Sequence, residues 1–251
     1  MGYSKNEKKV IAFSCVLAAI IAFPQIAGAM HIMEGFLPVS HSIVWSAAAI
    51  PFLVAGVIKI RKLLHENRRL LVLLAMAGAF VFIISALKVP SVTGSSSHMT
   101  GTGLAAILFG PMVTSVLGAI VLLFQALLLA HGGLTTLGAN TISMAVIGPL
   151  VVILLYKCGM KLKINRSVTI FVAAALGDLF AYIVTATQLA VAYPSEGGGV
   201  AESLVLFLGV FAPTQVPLAI LEGILTVLIF IALENFARKE LQDLGILEAR
   251  T

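Results

Sequence analysis

Six apolar stretches, nearly free of charged side chains, dictate what this chain can become. They run at about 39–60, 70–88, 111–130, 139–157, 167–192 and 212–236. Runs of roughly 20 apolar residues are the length needed to cross a bilayer as helix, because backbone polar groups in hydrocarbon must be satisfied within the segment. Charged residues make up 11% of the chain, against roughly 25% in soluble domains. So little charge cannot cover a water-facing surface, and an all-α polytopic membrane protein is expected, as a single membrane-embedded domain. The formal charge of +5 sits mostly in loops. That pattern points to membrane orientation and away from nucleic-acid binding. The cysteines, Cys15 and Cys158, have no partner at disulfide or metal spacing. No repeat of 20–50 residues is visible.

Residues 1–29 have the form of a secretory signal peptide. Lys5, Lys8 and Lys9 make a basic start, Val10 to Phe23 an apolar run, and Pro24 a helix break. Ala27-Gly28-Ala29 then places small residues at −3 and −1 of a cleavage point. The alternative is an uncleaved first span, but the apolar run is short for one. Cleavage after Ala29 makes Met30 the first residue of the mature domain, 30–251, with a cytoplasmic tail from about 237.

Basic clusters set the sidedness. Lys59, Arg61, Lys62, Arg68 and Arg69 separate the first two spans; Lys157, Lys161, Lys163 and Arg166 form a second group; Arg238 and Lys239 follow the last span. All three groups belong on the cytoplasmic side. The loops "VPSVTGSSSHMTGTG" and "HGGLTTLGAN" then both lie outside, with too few residues between them for two full spans. Residues 101–110 are therefore expected to form a short or half helix turning at Gly110-Pro111, with 200–211 another partial helix. About seven membrane segments result, including a short or broken one, N-out and C-in.

Of five histidines, this topology puts His31, His98 and His131 on one side. His41 begins the first span, and His65 lies in the basic loop. His31 has a special geometry if Met30 carries a free amine. The amine and the His31 amide nitrogen close a five-membered chelate ring, and the amide and imidazole Nδ1 close a six-membered one. A second imidazole would complete a square of nitrogens, which suits Ni(II) and Cu(II) and is accessible to Co(II). His98, in a polar Gly-rich loop that also holds Ser97, is the best candidate for it. His131 precedes Gly132-Gly133 at a helix end, where a capping role competes with a ligand role. Asn140 can hydrogen-bond behind the ligands. Asp178 and Glu222 are costly in lipid and must face a partner or the interior. They suit a proton relay or, more plainly, a hydrogen bond to a neighbouring helix. The chain contains no Gly-rich loop ending in Lys-Ser/Thr and hence no P-loop ATPase motif. It also lacks Gly-x-Ser-x-Gly and His-Glu-x-x-His, which weakens an enzyme reading.

Three stretches, "MHIMEGFLP", "SSSHMTGTGLAAILFGP" and "HGGLTTLGANTISMAVIGP", closely resemble the CbiM/NikM family. These are substrate-capture (S) components of energy-coupling factor transporters for cobalt and nickel. The resemblance implies a seven-helix fold with an outer N-terminal segment plugged into the bundle. It implies metal ligands from the Met30 amine, the His31 amide and imidazole, and the His98 imidazole, with Asn140 in support; the residues themselves add His131 and Ser97 as weaker candidates. It implies Co(II), or alternatively Ni(II), as transported ligand, no permanent cofactor, and a bacterial or archaeal cytoplasmic membrane. The implied partners are a membrane coupling (T) protein, two cytoplasmic ABC-type ATPases and a small two-helix membrane subunit, with Ala75 and Ala79 as one candidate contact for the coupling protein. The Met-Glu after Met-His-Ile is more like the cobalt branch, which would feed cobalamin biosynthesis. The competing readings are an ion-coupled secondary transporter, resting on Asp178, Glu222 and the broken helix, and a membrane enzyme.

Overall fold

The computed structural model describes residues 31–90 and 96–247. The expected signal segment, Met30 and Cys15 lie outside the described residues. Helix α1 spans Val39–Glu66, α2 Leu70–Ala86, α3 Thr102–Phe109 and α4 Pro111–Leu129. Then come α5 at Leu137–Lys161, α6 at Arg166–Ala192, α7 at Gly199–Phe236 and the short α8 at Arg238–Asp243. Between α2 and α3, Val89–Pro90 (β1) pairs antiparallel with Ser96–Ser97 (β2). Helices α1, α4, α5, α6 and α7 are long and apolar enough to cross a membrane, and α2 is an apolar helix of 17 residues. The chain is a multi-pass membrane protein.

The short α3 is the element the parity argument required. Eight residues rise about 12 Å, less than half of a hydrocarbon core of roughly 30 Å. It stops at Gly110, whose φ of 81° is left-handed, and Pro111 opens α4 as its first helical residue. Thr102 to Leu108 are all buried and Phe109 and Gly110 half-buried, so protein, not lipid, surrounds most of this half helix.

Three departures from the sequence reading have physical causes. Helix α1 continues past residue 60 to Glu66, carrying the basic stretch as helix with an exposed Lys62–Glu66 pair one turn apart. Residues 200–211 are not a separate piece but the first part of the 38-residue α7, which passes through Pro213 and Pro217 without ending. The α6–α7 pair is the most extensive in the bundle, and that packing carries the helix across two missing N–H donors. Finally, α5 is not uniform: Thr141–Ile147 is a π-helical stretch between two α-helical parts.

Small residues let the helices approach. Ala173, Ala174, Ala181, Ala186 and Ala190 of α6 have no exposed surface, as expected where association is driven by close backbone packing. At one end of the bundle, Arg166 pairs with Glu234 at 3.0 Å and Asn67 donates to Asp243 at 2.7 Å. These contacts gather the basic segments of all three clusters at that end. The start of α1, the end of α4 and the start of α5 meet at the other.

Gly56 marks the tightest seam, between α1 and α4. A Cβ there would lie 2.1 Å from the Met112 carbonyl oxygen and 2.5 Å from a Val116 methyl. An exposed helical Gly→Ala change normally stabilises by about 1 kcal/mol. Gly56→Ala should do the opposite and destabilise by about 1–3 kcal/mol, read as a lowered thermal midpoint in detergent. An unchanged or raised midpoint would contradict this packing.

Candidate metal site

The segment from His31 to Pro38 is not helical; it turns at residues 34–36 and lies across the start of α5. Its grip is the backbone of Ile32. The Ile32 N–H donates to Asn140 Oδ1 at 2.8 Å, and the Ile32 carbonyl accepts from Asn140 Nδ2 at 3.0 Å and from the Thr136 hydroxyl at 2.6 Å. A side-chain amide thus pairs with a backbone amide as a neighbouring strand would. Further out, Glu34 N–H donates to the Gly132 carbonyl at 3.2 Å, and the Glu34 carboxylate accepts from the N–H groups of Leu134 and Thr135. The hydroxyl and backbone of Thr135 hold the Glu34 carboxyl below its ordinary range. Tyr193 donates its hydroxyl to the Phe36 carbonyl. Gly132 and Gly133 make the close approach possible: a Cβ on Gly133 would sit 2.5 Å from Glu34 Cα, and Gly132 has a φ of 76°.

This strap carries His31 into a cluster of imidazoles. His31, His98 and His131 are each 1% exposed or less. Their ring centroids lie 4.3, 4.5 and 4.9 Å apart, and one nitrogen from each falls within 4.8 Å of the others. His98 Nδ1 donates to the Met99 carbonyl at 2.8 Å, which leaves Nε2 unpartnered. His31 Nε2 lies 3.1 Å from Met144 Sδ, which leaves Nδ1 unpartnered. Neither nitrogen of His131 has a hydrogen-bond partner. Burial is the main reason all three resist protonation: it holds His98 at about 4, against the opposing bond to the Met99 carbonyl, and His131 at about 2, and keeps His31 well below 6.5; neighbouring rings add to the effect at His31 and His131, and Lys88 at all three. The rings are therefore neutral at physiological pH, the form that binds metal. Nitrogens each about 2 Å from a shared ion lie at most about 4 Å apart, so a contraction of under about 1 Å would let the three share one ion. Four orphaned ring nitrogens in one pocket are a departure from the near-complete pairing of buried polar atoms; a divalent cation bound there would satisfy one nitrogen of each ring.

The His98 loop is pinned from behind. The Thr100 N–H donates to Glu222 at 2.6 Å and to Asp178 at 3.2 Å, and its hydroxyl donates to Glu222 at 2.7 Å. Gln215 Nε2 bridges Asp178, at 2.6 Å, and the His98 carbonyl, at 3.2 Å. The intramembrane carboxyls are thus not limited to a single bond with a neighbouring helix. They anchor the backbone that presents His98. Ser97, expected as a weak ligand candidate, pairs its hydroxyl with Thr214 at 2.8 Å instead.

The sequence allows His131 a capping role, and the cap is present but made by its backbone. Ala130 takes a left-handed conformation, and the His131 N–H donates to the Gln125 carbonyl at 3.1 Å. The ring is left to join the cluster. Met30 lies outside the described residues. His41 sits in the first turn of α1 beside Ser40, and His65 is exposed. Sequence reasoning passed over Met144, Thr136, Thr100 and Gln215; only Thr100 carried a local signal, being in the His98 loop.

Two outcomes follow from this geometry. Asn140→Asp replaces the donor facing the Ile32 carbonyl with an acceptor. It should weaken the strap by about 1–3 kcal/mol, seen as roughly 5- to 100-fold faster amide exchange across residues 32–36. The second concerns pH. Because the folded histidines have lowered pKa values, the unfolded chain binds more protons below about 6.5. Stability of the metal-free protein should therefore be full above that pH and fall as pH drops from about 6.5 toward 4. A thermal midpoint followed from pH 7.5 to 4.5 should decline, and His98→Ala combined with His131→Ala should flatten the decline.

Residues 31–240 match a family model described as CbiM, cobalt uptake substrate-specific transmembrane region. The chain is 59% identical to the cobalt transport protein CbiM of Lachnoclostridium phytofermentans, over 97% of each chain. It is 60% identical to that of Chlorobium limicola, over 84% of this chain and 83% of the relative. A crystal structure of a truncated transition metal transporter superposes with a TM-score of 0.73 at 27% identity, covering 82% of this chain and 98% of that one. By the extent of the family match and the identity to these relatives, the chain belongs to the CbiM family.

Proposed function

We propose that this chain captures Co(II) at the outer face of a cytoplasmic membrane, as the S component of an ATP-driven energy-coupling factor uptake system. The observation that carries the reading is the convergence of three buried, neutral imidazoles with unpartnered nitrogens at the end of a helical bundle. The membership in a cobalt uptake family supports a transport component over an enzyme. In this reading the ligands are the Met30 amine, the His31 amide and Nδ1, and His98 Nε2, with His131 close enough to act as a further ligand. Cleavage after Ala29 frees the amine, whose pKa of roughly 7.7 to 8.0 lets a divalent metal displace its proton near neutral pH. The opposite, basic end of the bundle would be cytoplasmic. There a coupling protein, two ATPases and a small two-helix subunit would act on it, since the chain has no P-loop motif of its own. The ion would serve cobalamin biosynthesis. Cobalt is preferred to nickel because the relatives are named for cobalt, although Ni(II) should bind purified protein at least comparably. Asp178 and Glu222, occupied in holding the His98 loop, give an ion-coupled mechanism little support.

The test joins binding and transport. A purified chain beginning at Met30 should bind Co(II) in competition with a chromogenic chelator. His31→Ala, His98→Ala and a chain extended to Gly-Met30 should each bind at least about tenfold more weakly, the scale of one lost ligand interaction of about 1.4 kcal/mol or more. Cells carrying the complete transporter should accumulate labelled cobalt only with functional ATPases. Equal affinity of the Met30 and Gly-Met30 chains would remove the amine from the ligand set. Uptake that survives ATPase loss and collapses with the proton gradient would overturn the ATP-driven reading.

A further inference from the structure

We propose that Met144 is a positioning residue for metal capture: its thioether accepts the Nε2–H of His31 and thereby keeps the His31 Nδ1 lone pair bare for the ion. The inference rests on the metal-capture reading above and adds the group that makes His31 competent for it.

A neutral imidazole carries its proton on one nitrogen or the other, and the hydrogen bond made by one nitrogen decides which remains free. For His98 the deciding partner is the carbonyl of the next residue. Among the described residues no carbonyl does this for His31. The polar contact its ring makes besides the two neighbouring imidazoles is to Met144 Sδ, 3.1 Å from Nε2. A thioether carries no hydrogen and can only accept, so this contact is a bond only when Nε2 holds the proton. Nδ1 is then the bare nitrogen, and Nδ1 is the atom left unpartnered in the pocket. Nδ1 is also the ring nitrogen able to close a six-membered chelate with the residue's own amide nitrogen; Nε2 points too far from the backbone to do so.

The location of Met144 argues against simple gap-filling. It is 1% exposed and lies at the middle of the π-helical stretch Thr141–Ile147, a distortion that often marks functional positions. One side of it joins an apolar cluster with Leu74, Val81 and Leu117, a task leucine would perform as well. The other side meets the imidazole, and only there does sulfur matter. Sulfur is a weak acceptor, so it selects the tautomer while leaving His31 less basic than a carboxylate partner would make it. That suits a site that must also let its ion go.

The test reads the tautomer directly. Histidine ring nitrogens of the metal-free, processed chain are labelled with ¹⁵N and followed by long-range ¹H–¹⁵N correlation in detergent. The wild type should show His31 protonated on Nε2. Met144→Leu should shift His31 toward the Nδ1–H form or a mixture while His98 stays protonated on Nδ1, the check that the fold and pocket persist. Co(II) affinity should fall about tenfold with it. Met144→Gln, whose side-chain carbonyl is again an acceptor of similar reach, should restore the Nε2–H form and most of the affinity. A His31 that remains Nε2–H in Met144→Leu, or a Met144→Gln that folds without restoring it, overturns the inference. Failure of the wild type to bind Co(II) would instead sink the metal-capture reading, and the tautomer measurement would still decide the role of Met144.

Discussion

Removing three imidazoles from water while giving four of their nitrogens no protein partner is the constraint around which this end of the molecule is arranged. Each such atom carries a desolvation cost that a hydrogen bond normally offsets. The same burial keeps the rings neutral, so the cost is also what makes lone pairs available. In each ring one lone pair is thus left that a bound cation would satisfy. Binding an ion to the folded state alone would return that free energy as stability.

An under-satisfied pocket holds its shape only if something else fixes the backbone. Two independent anchors do this. Asn140 and Thr136 clamp Ile32, and with it His31, to the start of α5. Glu222, Asp178 and Gln215 hold Thr100 and the His98 carbonyl from α6 and α7. Carboxyl groups in a membrane interior are expensive, and here their partners are the backbone and hydroxyl groups of a non-helical loop that itself would be intolerable in lipid. Each set of polar groups satisfies the other, and the half helix α3 follows from the same loop, buried from Thr102 to Leu108.

The surrounding bundle makes those anchors possible through small residues. Alanines along α6 and Gly56 in α1 bring backbones close, and the dense α6–α7 seam carries α7 through two prolines. Glycines at 132 and 133 do the same locally, admitting the N-terminal strap to within van der Waals reach of the α4–α5 turn.

Hydrophobic run length and the placement of lysine and arginine were enough to specify a polytopic helical protein, a half helix ending at Gly110-Pro111, and the grouping of the basic segments at one end. These are near-neighbour properties, set by bilayer thickness and by the cost of charge in lipid. The resemblance of three short motifs placed His31, His98 and Asn140 together. The ring of His131 was not legible, because whether a helix is capped by backbone or side chain depends on one left-handed residue, Ala130. Nor were Gln215 and the carboxyl pair, which stand 80 to 124 residues from His98 in sequence, or Met144, which stands 113 residues from His31; they meet those histidines or their loop only after helices pack. Sequence by itself determined that the chain is a multi-pass helical membrane protein and which short stretches carry the histidines that meet. Tertiary structure alone brought the three rings together and decided which nitrogen of His31 and of His98 is left without a partner, because that choice belongs to whatever atom the fold sets against the other one.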